Sequence, residues 1–92
     1  MECIMDQITD ILSDRQSTHG DFREVAKLDR AFKTLLQKSP NWEYLSDTQA
    51  LALEMIVHKI SRILSGNPNH PDHVADIQGY AELFKKYSKE SQ

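Results

Sequence analysis

The sequence predicts an all-α protein, a compact single-domain bundle of four helices in 92 residues. Apolar side chains recur at helical spacing in four segments, and capping residues with Pro or Gly separate those segments. No stretch shows the alternation that is typical of a strand. The expected helices cover residues 3–15, 22–38, 47–65 and 72–86. Short connections between such helices favour antiparallel neighbours.

The first two helices are predicted from their apolar stripes and from the residues between them. The first stripe consists of Ile4, Ile8, Ile11 and Leu12. Asp21 is a suitable N-cap for the second helix, and Glu24, three residues later, completes a capping-box pair. Pro40 ends this helix because proline cannot donate the next backbone hydrogen bond.

The third and fourth helices have start and stop signals of their own. Ser46 and Gln49 have the spacing of a capping box, and Gly66 stands where a left-handed C-cap would end the third helix. A turn-rich connection with two prolines follows. Asp72 or His70 then caps the fourth helix.

Composition limits the classes of function. The formal net charge of −3 provides no broad basic face, so DNA binding is not expected. The single cysteine, Cys3, cannot form an internal disulfide, and a reducing setting such as the cytoplasm is therefore expected. The sequence shows neither a secretory signal nor an apolar run long enough for a membrane span, so no membrane partner is expected.

The small size of the chain predicts self-association. A domain of this length buries roughly 60–65% of its unfolded surface, which leaves four amphipathic helices a limited shared core. We expect a homo-oligomer, with a dimer as the default. The expected subunit seam is the stripe of Met1, Met5, Ile8 and Leu12.

The most informative polar residue is Asp76, because helical geometry places it within the apolar arc of the fourth helix. A buried carboxylate requires a partner, which is either a cation such as Arg15, Lys59 or Arg62, or a metal or other ligand. Plain exposure of Asp76 is the third alternative. His73 falls in the same arc, where a structural histidine is the alternative to a ligand-binding one. Gly79 lies mid-helix, which indicates a close helix contact or a ligand approach.

Two sets of candidate site residues follow from these positions. The polar stripe of the third helix, formed by Glu54, His58, Ser61 and Ser65, is best interpreted as a solvated face, with a ligand-bearing face as the alternative. The expected ligand-binding residues are Arg15, His19, Asp21, Lys59, Arg62, His73 and Tyr80. The expected ligands for a metal ion are Glu54, Asp72 and Asp76, and Mg²⁺ is the ion that suits such oxygens. For Tyr80, core packing is the alternative to stacking on a base.

Three segments of the sequence carry a family resemblance: Arg15–Phe22, Ala52–Gly66 and Pro71–Ala81. In them the chain resembles a family of small phage and prophage proteins, over about residues 8 to 84. That resemblance implies a phage-related gene and brings no established activity.

The chain is also distantly similar to the MazG-like all-α nucleoside-triphosphate pyrophosphohydrolases. This resemblance implies an oligomeric bundle in which carboxylates from two adjacent helices hold Mg²⁺ while a triphosphate is cleaved between its α and β phosphorus atoms. Glu54 would be the earlier carboxylate and Asp76 the later one. The class carries acidic pairs three residues apart. Here the residue three positions after Glu54 is Val57, and the residue three positions before Asp76 is His73.

These observations leave three functions open, and whether the protein is an enzyme is undecided at this stage. The leading hypothesis is binding without catalysis, in which the protein sequesters a nucleotide or a component of host defence. The second is Mg²⁺-dependent hydrolysis of a nucleoside triphosphate, in which Lys59, Arg62 and Arg15 would neutralise phosphate charge. The third is a structural or adaptor protein.

Overall fold

The computed structural model describes residues 8–12 and 20–88, and its architecture is all-α as predicted. Helix α1 is described over residues 8–12. The other elements are α2 (Phe22–Lys38), a short 3-10 turn (Trp42–Tyr44), α3 (Asp47–Ser65) and α4 (Pro71–Ser88). Among these described residues there is no strand, and no helix is long and apolar enough to cross a bilayer.

Helix α3 lies in the middle of the bundle, with α2 on one side and α4 on the other. Its packing against α4 is the more extensive of the two. The fully enclosed core of the described residues is small and has an unusual composition. Its side chains are those of Val25 of α2, Ala52 and Ser61 of α3, and His73 of α4, and Gly20 is buried as well. Most other inward-facing side chains of these helices are only half-buried.

The described residues of α1, 8–12, are helical, and all five are exposed. Ile8, Ile11 and Leu12 are 45%, 59% and 62% exposed, so within this chain their apolar faces remain largely in water. The rest of the predicted helix, residues 3–7 and 13–15, lies outside the described residues.

The helix ends agree with the sequence in two places and correct it in two others. Ser46 and Gln49 form the predicted reciprocal capping box, and His70, not Asp72, precedes α4 and accepts a hydrogen bond from the Asp72 amide. Asp21 occupies the N-cap position of α2, but its side chain makes no capping bond. Gly66 ends α3 with φ −124°, outside the left-handed region, and its amide donates to the Arg62 carbonyl.

Gly20, just before the start of α2, lies against the end of α3. It is buried, and its φ of 92° lies in the region that favours glycine. A Cβ at this position would stand 2.6 Å from Ser65 atoms, including backbone, at the end of α3. Glycine therefore allows the start of α2 to approach the end of α3 closely.

Candidate functional site

A polar network joins α2 to α3 at a partly buried seam. The Asp29 carboxylate, 13% exposed, pairs with Lys33 Nζ through one oxygen at 2.9 Å. Its other oxygen lies 3.2 Å from His58 Nδ1. On the far side of the imidazole, Arg62 Nε donates to His58 Nε2 at 3.1 Å. Four side chains from two helices are thus linked in one chain of polar contacts, which we call the α2–α3 network.

Helix geometry explains why these four residues meet. Lys33 follows Asp29 by four residues on α2, and Arg62 follows His58 by four on α3, so each pair lies on one face of its helix. Burial lowers the pKa of His58 below its ordinary value, and the adjacent Arg62 charge lowers it further.

The interpretation of the α3 polar stripe as a solvated face is wrong. Ser61 is completely buried and donates to the Val57 carbonyl, while Glu54, His58 and Ser65 are half-buried. The physical reason is the central position of α3, since its second face packs against α2 instead of meeting water.

A second polar contact joins α3 to α4. Lys59 Nζ lies 2.9 Å from Asp76 Oδ2, with the lysine side chain 15% exposed and the aspartate 44% exposed. The hydrogen bond from Lys59 lowers the pKa of Asp76, and the charges of Lys59, His73 and Arg62 act in the same direction. Asp76 therefore has the cationic partner that its position predicts, but it lies at the edge of the apolar face and not inside it.

Beside this ion pair α4 carries a shallow notch of about 230 Å³. It is lined by Ala75, Asp76, Gly79, Tyr80 and Leu83. Among the described residues, a Cβ built on Gly79 would meet nothing within 4 Å. Residues 8–12 and 20–88 therefore do not make the close helix contact that Gly79 suggested, and they leave the notch open.

Arg62 occupies the position between the two contacts. It touches His58 in the α2–α3 network, and its charge also influences Asp76 across the α3–α4 side. Each aspartate of these contacts already has a lysine, because Asp29 pairs with Lys33 and Asp76 with Lys59. Among the ion pairs of the described residues none involves Arg62, which is half-buried.

The other predicted ligand-binding residues differ in how near they lie to Arg62 and the notch. Tyr80 is half-buried and lines the notch. His73 is 1% exposed and lies beside His70, with ring centroids 5.3 Å apart, so it is part of the core rather than the surface of a site. Asp21 lies at the start of α2, next to the Gly20–Ser65 approach. Arg15 and His19 lie outside the described residues.

The three predicted metal ligands are not drawn together. In the part of the chain that the structure describes, no group of three His, Cys, Asp or Glu side chains is placed to hold a metal ion. Asp72 is 75% exposed and 3.9 Å from His70 Nδ1, while Asp76 pairs with Lys59. A site for Mg²⁺ formed by Glu54, Asp72 and Asp76 stays a prediction.

Sequence reasoning missed Asp29 and Lys33 as members of the site and assigned His58 to a solvated stripe. The i, i+4 pairs Asp29–Lys33 and His58–Arg62 were visible in the sequence. The sequence alone does not show that the α2 face with Asp29 packs against the α3 face with His58.

Comparison with known proteins identifies the family. The chain belongs to the family described as a domain of unknown function, DUF6378, which it matches over residues 3–88. No curated protein and no solved structure matches it.

Proposed function

We propose that this member of the DUF6378 family binds a small phosphorylated ligand, with a nucleotide as the first candidate, and does not alter it covalently. One observation carries the proposal. The guanidinium of Arg62 is half-buried and donates a hydrogen bond to an uncharged acceptor, His58 Nε2. None of the ion pairs among the described residues joins Arg62 to a carboxylate. A cation in that setting favours an anionic partner from outside the chain.

The chemistry of arginine narrows the class of ligand. A guanidinium presents five N–H donors in a plane, and the His58 contact uses the one on Nε. The two Nη groups match paired oxygens of a phosphate in bidentate geometry. Lys33 on the α2 side and Lys59 on the α4 side are each already paired with an aspartate, which leaves Arg62 as the cation for the phosphate.

The α4 notch supports a nucleotide over a bare phosphate. Tyr80 provides an aromatic surface there, and the Asp76 carboxylate provides acceptors for the amino or hydroxyl groups of a nucleoside. The notch begins at Asp76, on whose pKa Arg62 acts, which is consistent with one ligand reaching both. An open surface notch also suits reversible binding.

Hydrolysis remains the alternative enzymatic function. It would require carboxylates that gather around Mg²⁺, and the one of them nearest to Arg62 is already neutralised by Lys59. Binding is therefore the function that the described contacts support better. A host defence component as the ligand, and a cytoplasmic setting, rest on the phage resemblance and on the single cysteine respectively.

Self-association belongs to the same proposal, with a dimer as the default. Two hydrophobic residues are buried among the described ones, Val25 and Ala52, while ten large hydrophobic side chains are exposed. A second copy that covers the α1 stripe would remove part of this surface from water.

The dimer has a direct test. Sedimentation of Leu12→Lys should shift the protein from dimer to monomer, since the charge would fall within the apolar stripe. Asp10→Lys, on the opposite face of α1, is the matched control and should leave the dimer intact. A wild-type protein that sediments as a monomer at all concentrations would refute self-association.

Binding itself is tested by calorimetric titration of ATP, AMP and pyrophosphate into wild-type protein with Mg²⁺ present. We expect saturable binding of at least one of them, weakened about tenfold or more by Arg62→Gln, because a charge-assisted contact is lost. The matched control is Arg30→Gln, which removes the same charge from an exposed position on α2.

Two results would decide against the proposal. The first is no binding of any of the three compounds at millimolar concentration, or equal binding by the wild type and Arg62→Gln. The second is release of pyrophosphate from ATP by wild-type protein but not by Asp76→Ala, which would establish the hydrolytic alternative.

A further inference from the structure

We infer that His58 is a positioning residue for Arg62: as the neutral Nδ1–H tautomer it fixes the guanidinium that would receive the phosphorylated ligand. This inference rests on the proposed function and adds the element that orients the binding group. It is carried by the hydrogen bonds on the two sides of one imidazole ring.

The hydrogen bonds assign the tautomer. Arginine Nε can only donate, so the nitrogen that it contacts, His58 Nε2, must accept and carries no proton. A neutral imidazole then carries its proton on Nδ1. That nitrogen lies 3.2 Å from Asp29 Oδ1, a carboxylate oxygen that accepts. One protonation state therefore satisfies both contacts.

Protonated imidazolium does not fit the same arrangement. It would point an N–H at the Arg62 Nε–H, so that two donors and two positive charges would meet. The lowered pKa of His58 agrees with this, since burial and the Arg62 charge both oppose protonation.

The charged groups around the ring come from both helices of the seam. Asp29 and Lys33 face it from α2, and Arg62 faces it from α3 itself. On α4, the charge of Arg62 acts on Asp76, whose carboxylate is paired with Lys59. Lys33 acts at one remove, because it neutralises the outer oxygen of Asp29.

The consequence concerns the freedom of the arginine. A free arginine side chain loses rotamer entropy when it is fixed. The His58 contact imposes part of that order before any ligand arrives, and pre-organisation of this kind raises affinity. His58 would thus act on binding through Arg62, without touching the ligand.

Two conservative variants separate the two ends of the ring. In His58→Gln the amide reaches the region of Nε2 and keeps an acceptor for Arg62, whereas in His58→Asn the shorter amide mimics Nδ1 and keeps the Asp29 contact alone. With pyrophosphate as the probe at pH 8, we expect His58→Gln to bind within about twofold of the wild type and His58→Asn about tenfold more weakly. Equal affinities of the two variants would overturn the inference.

A spectroscopic measurement decides the same point without a ligand. In ¹⁵N spectra of the imidazole, wild-type His58 should be the Nδ1–H tautomer, and its pKa should rise in Arg62→Gln, where the neighbouring charge is absent. A wild-type Nε2–H tautomer would overturn the inference. If wild-type protein fails to bind pyrophosphate and nucleotides, the proposed function fails, while the tautomer and the Arg62-dependent pKa still decide whether His58 positions Arg62.

Discussion

Charged side chains are paired in different ways on the two faces of α3. Towards α4, Lys59 forms a direct pair with the carboxylate of Asp76. Towards α2, Asp29 is shared between Lys33 and His58, and Arg62 is held by an imidazole instead of a carboxylate. In the first arrangement both charges are paired within the chain, whereas in the second Arg62 has no carboxylate among the described ion pairs.

This difference is the reason why we propose Arg62, and not Asp76, as the centre of the site. The position of Asp76 near an apolar face predicts a functional site from the sequence, but in the structure its carboxylate is neutralised by Lys59. Among the half-buried lysines and arginines of the described residues, Arg62 is the one that none of the ion pairs involves, and its contacts become visible only when α2 and α3 are packed together. The following predictions test the comparison, from the largest expected effect to the smallest.

Substitution of the two glycines should have opposite effects on stability. Gly20→Ala should destabilise the protein by about 2–4 kcal/mol, because its backbone is left-handed and the added Cβ would overlap Ser65. Gly79→Ala should stabilise it by up to about 1 kcal/mol, because alanine favours the helix and meets nothing within 4 Å. Denaturant unfolding measures both.

A Gly79→Ala variant that is less stable than the wild type would show that something outside the chain packs closely into the notch. That result would make the α4 side a contact surface and weaken its assignment to a nucleotide.

The start of α3 is tied to the end of α4 by one side chain. Gln49 completes the Ser46 capping box and its Nε2 also donates to Ser88 Oγ at 2.9 Å. Gln49→Ala should therefore cost about 1–2 kcal/mol in thermal or denaturant unfolding. Gln78→Ala, exposed on α4, is the control and should change stability little. Equal effects of the two would remove this tie from the α3–α4 side.

Acid should weaken the α2–α3 side first. His58 has a lowered pKa in the folded protein, so between that pKa and its unfolded value of about 6.5 the unfolded chain binds more protons. The contribution of His58 to stability is therefore fully present above about pH 6.5 and is lost as the pH falls through its folded pKa. Unfolding of the wild type and His58→Gln from pH 8 to 5 should show a smaller loss for the variant. Parallel curves would contradict the burial of a neutral ring.

The smallest effect is expected at Asp76. Its lowered pKa gives a stabilisation that is present above the unfolded value and is lost only as the pH falls through the folded pKa, well below the range of His58. Because the pair is partly exposed, Asp76→Asn should change stability little at pH 7 and salt should reduce the change further. A large loss of stability at pH 7 would mean that the α3–α4 pair is as important as the α2–α3 network.

The sequence predicted the helices better than their mutual arrangement. The ranges of α2 and α3 coincide with those expected, because Pro40, Ser46 and Gly66 mark helix ends by local chemistry. The partner of Asp76 was among the cations expected for it, since Lys59 projects from the neighbouring helix. The link between Asp29 and His58 could not be predicted, because it depends on which face of α3 meets α2 and on their register.

The proposed function depends most on Arg62, whose Nε donates to His58 and whose two Nη groups would bind the ligand. The most direct test is to follow the guanidinium N–H resonances of Arg62 by NMR while ATP, and separately pyrophosphate, is added at pH 7, with Arg30 as the internal reference. We predict that the Arg62 signals shift in a saturable way and that those of Arg30 do not. Arg62 signals that stay unchanged at millimolar ligand, or that move in step with Arg30, would contradict the account.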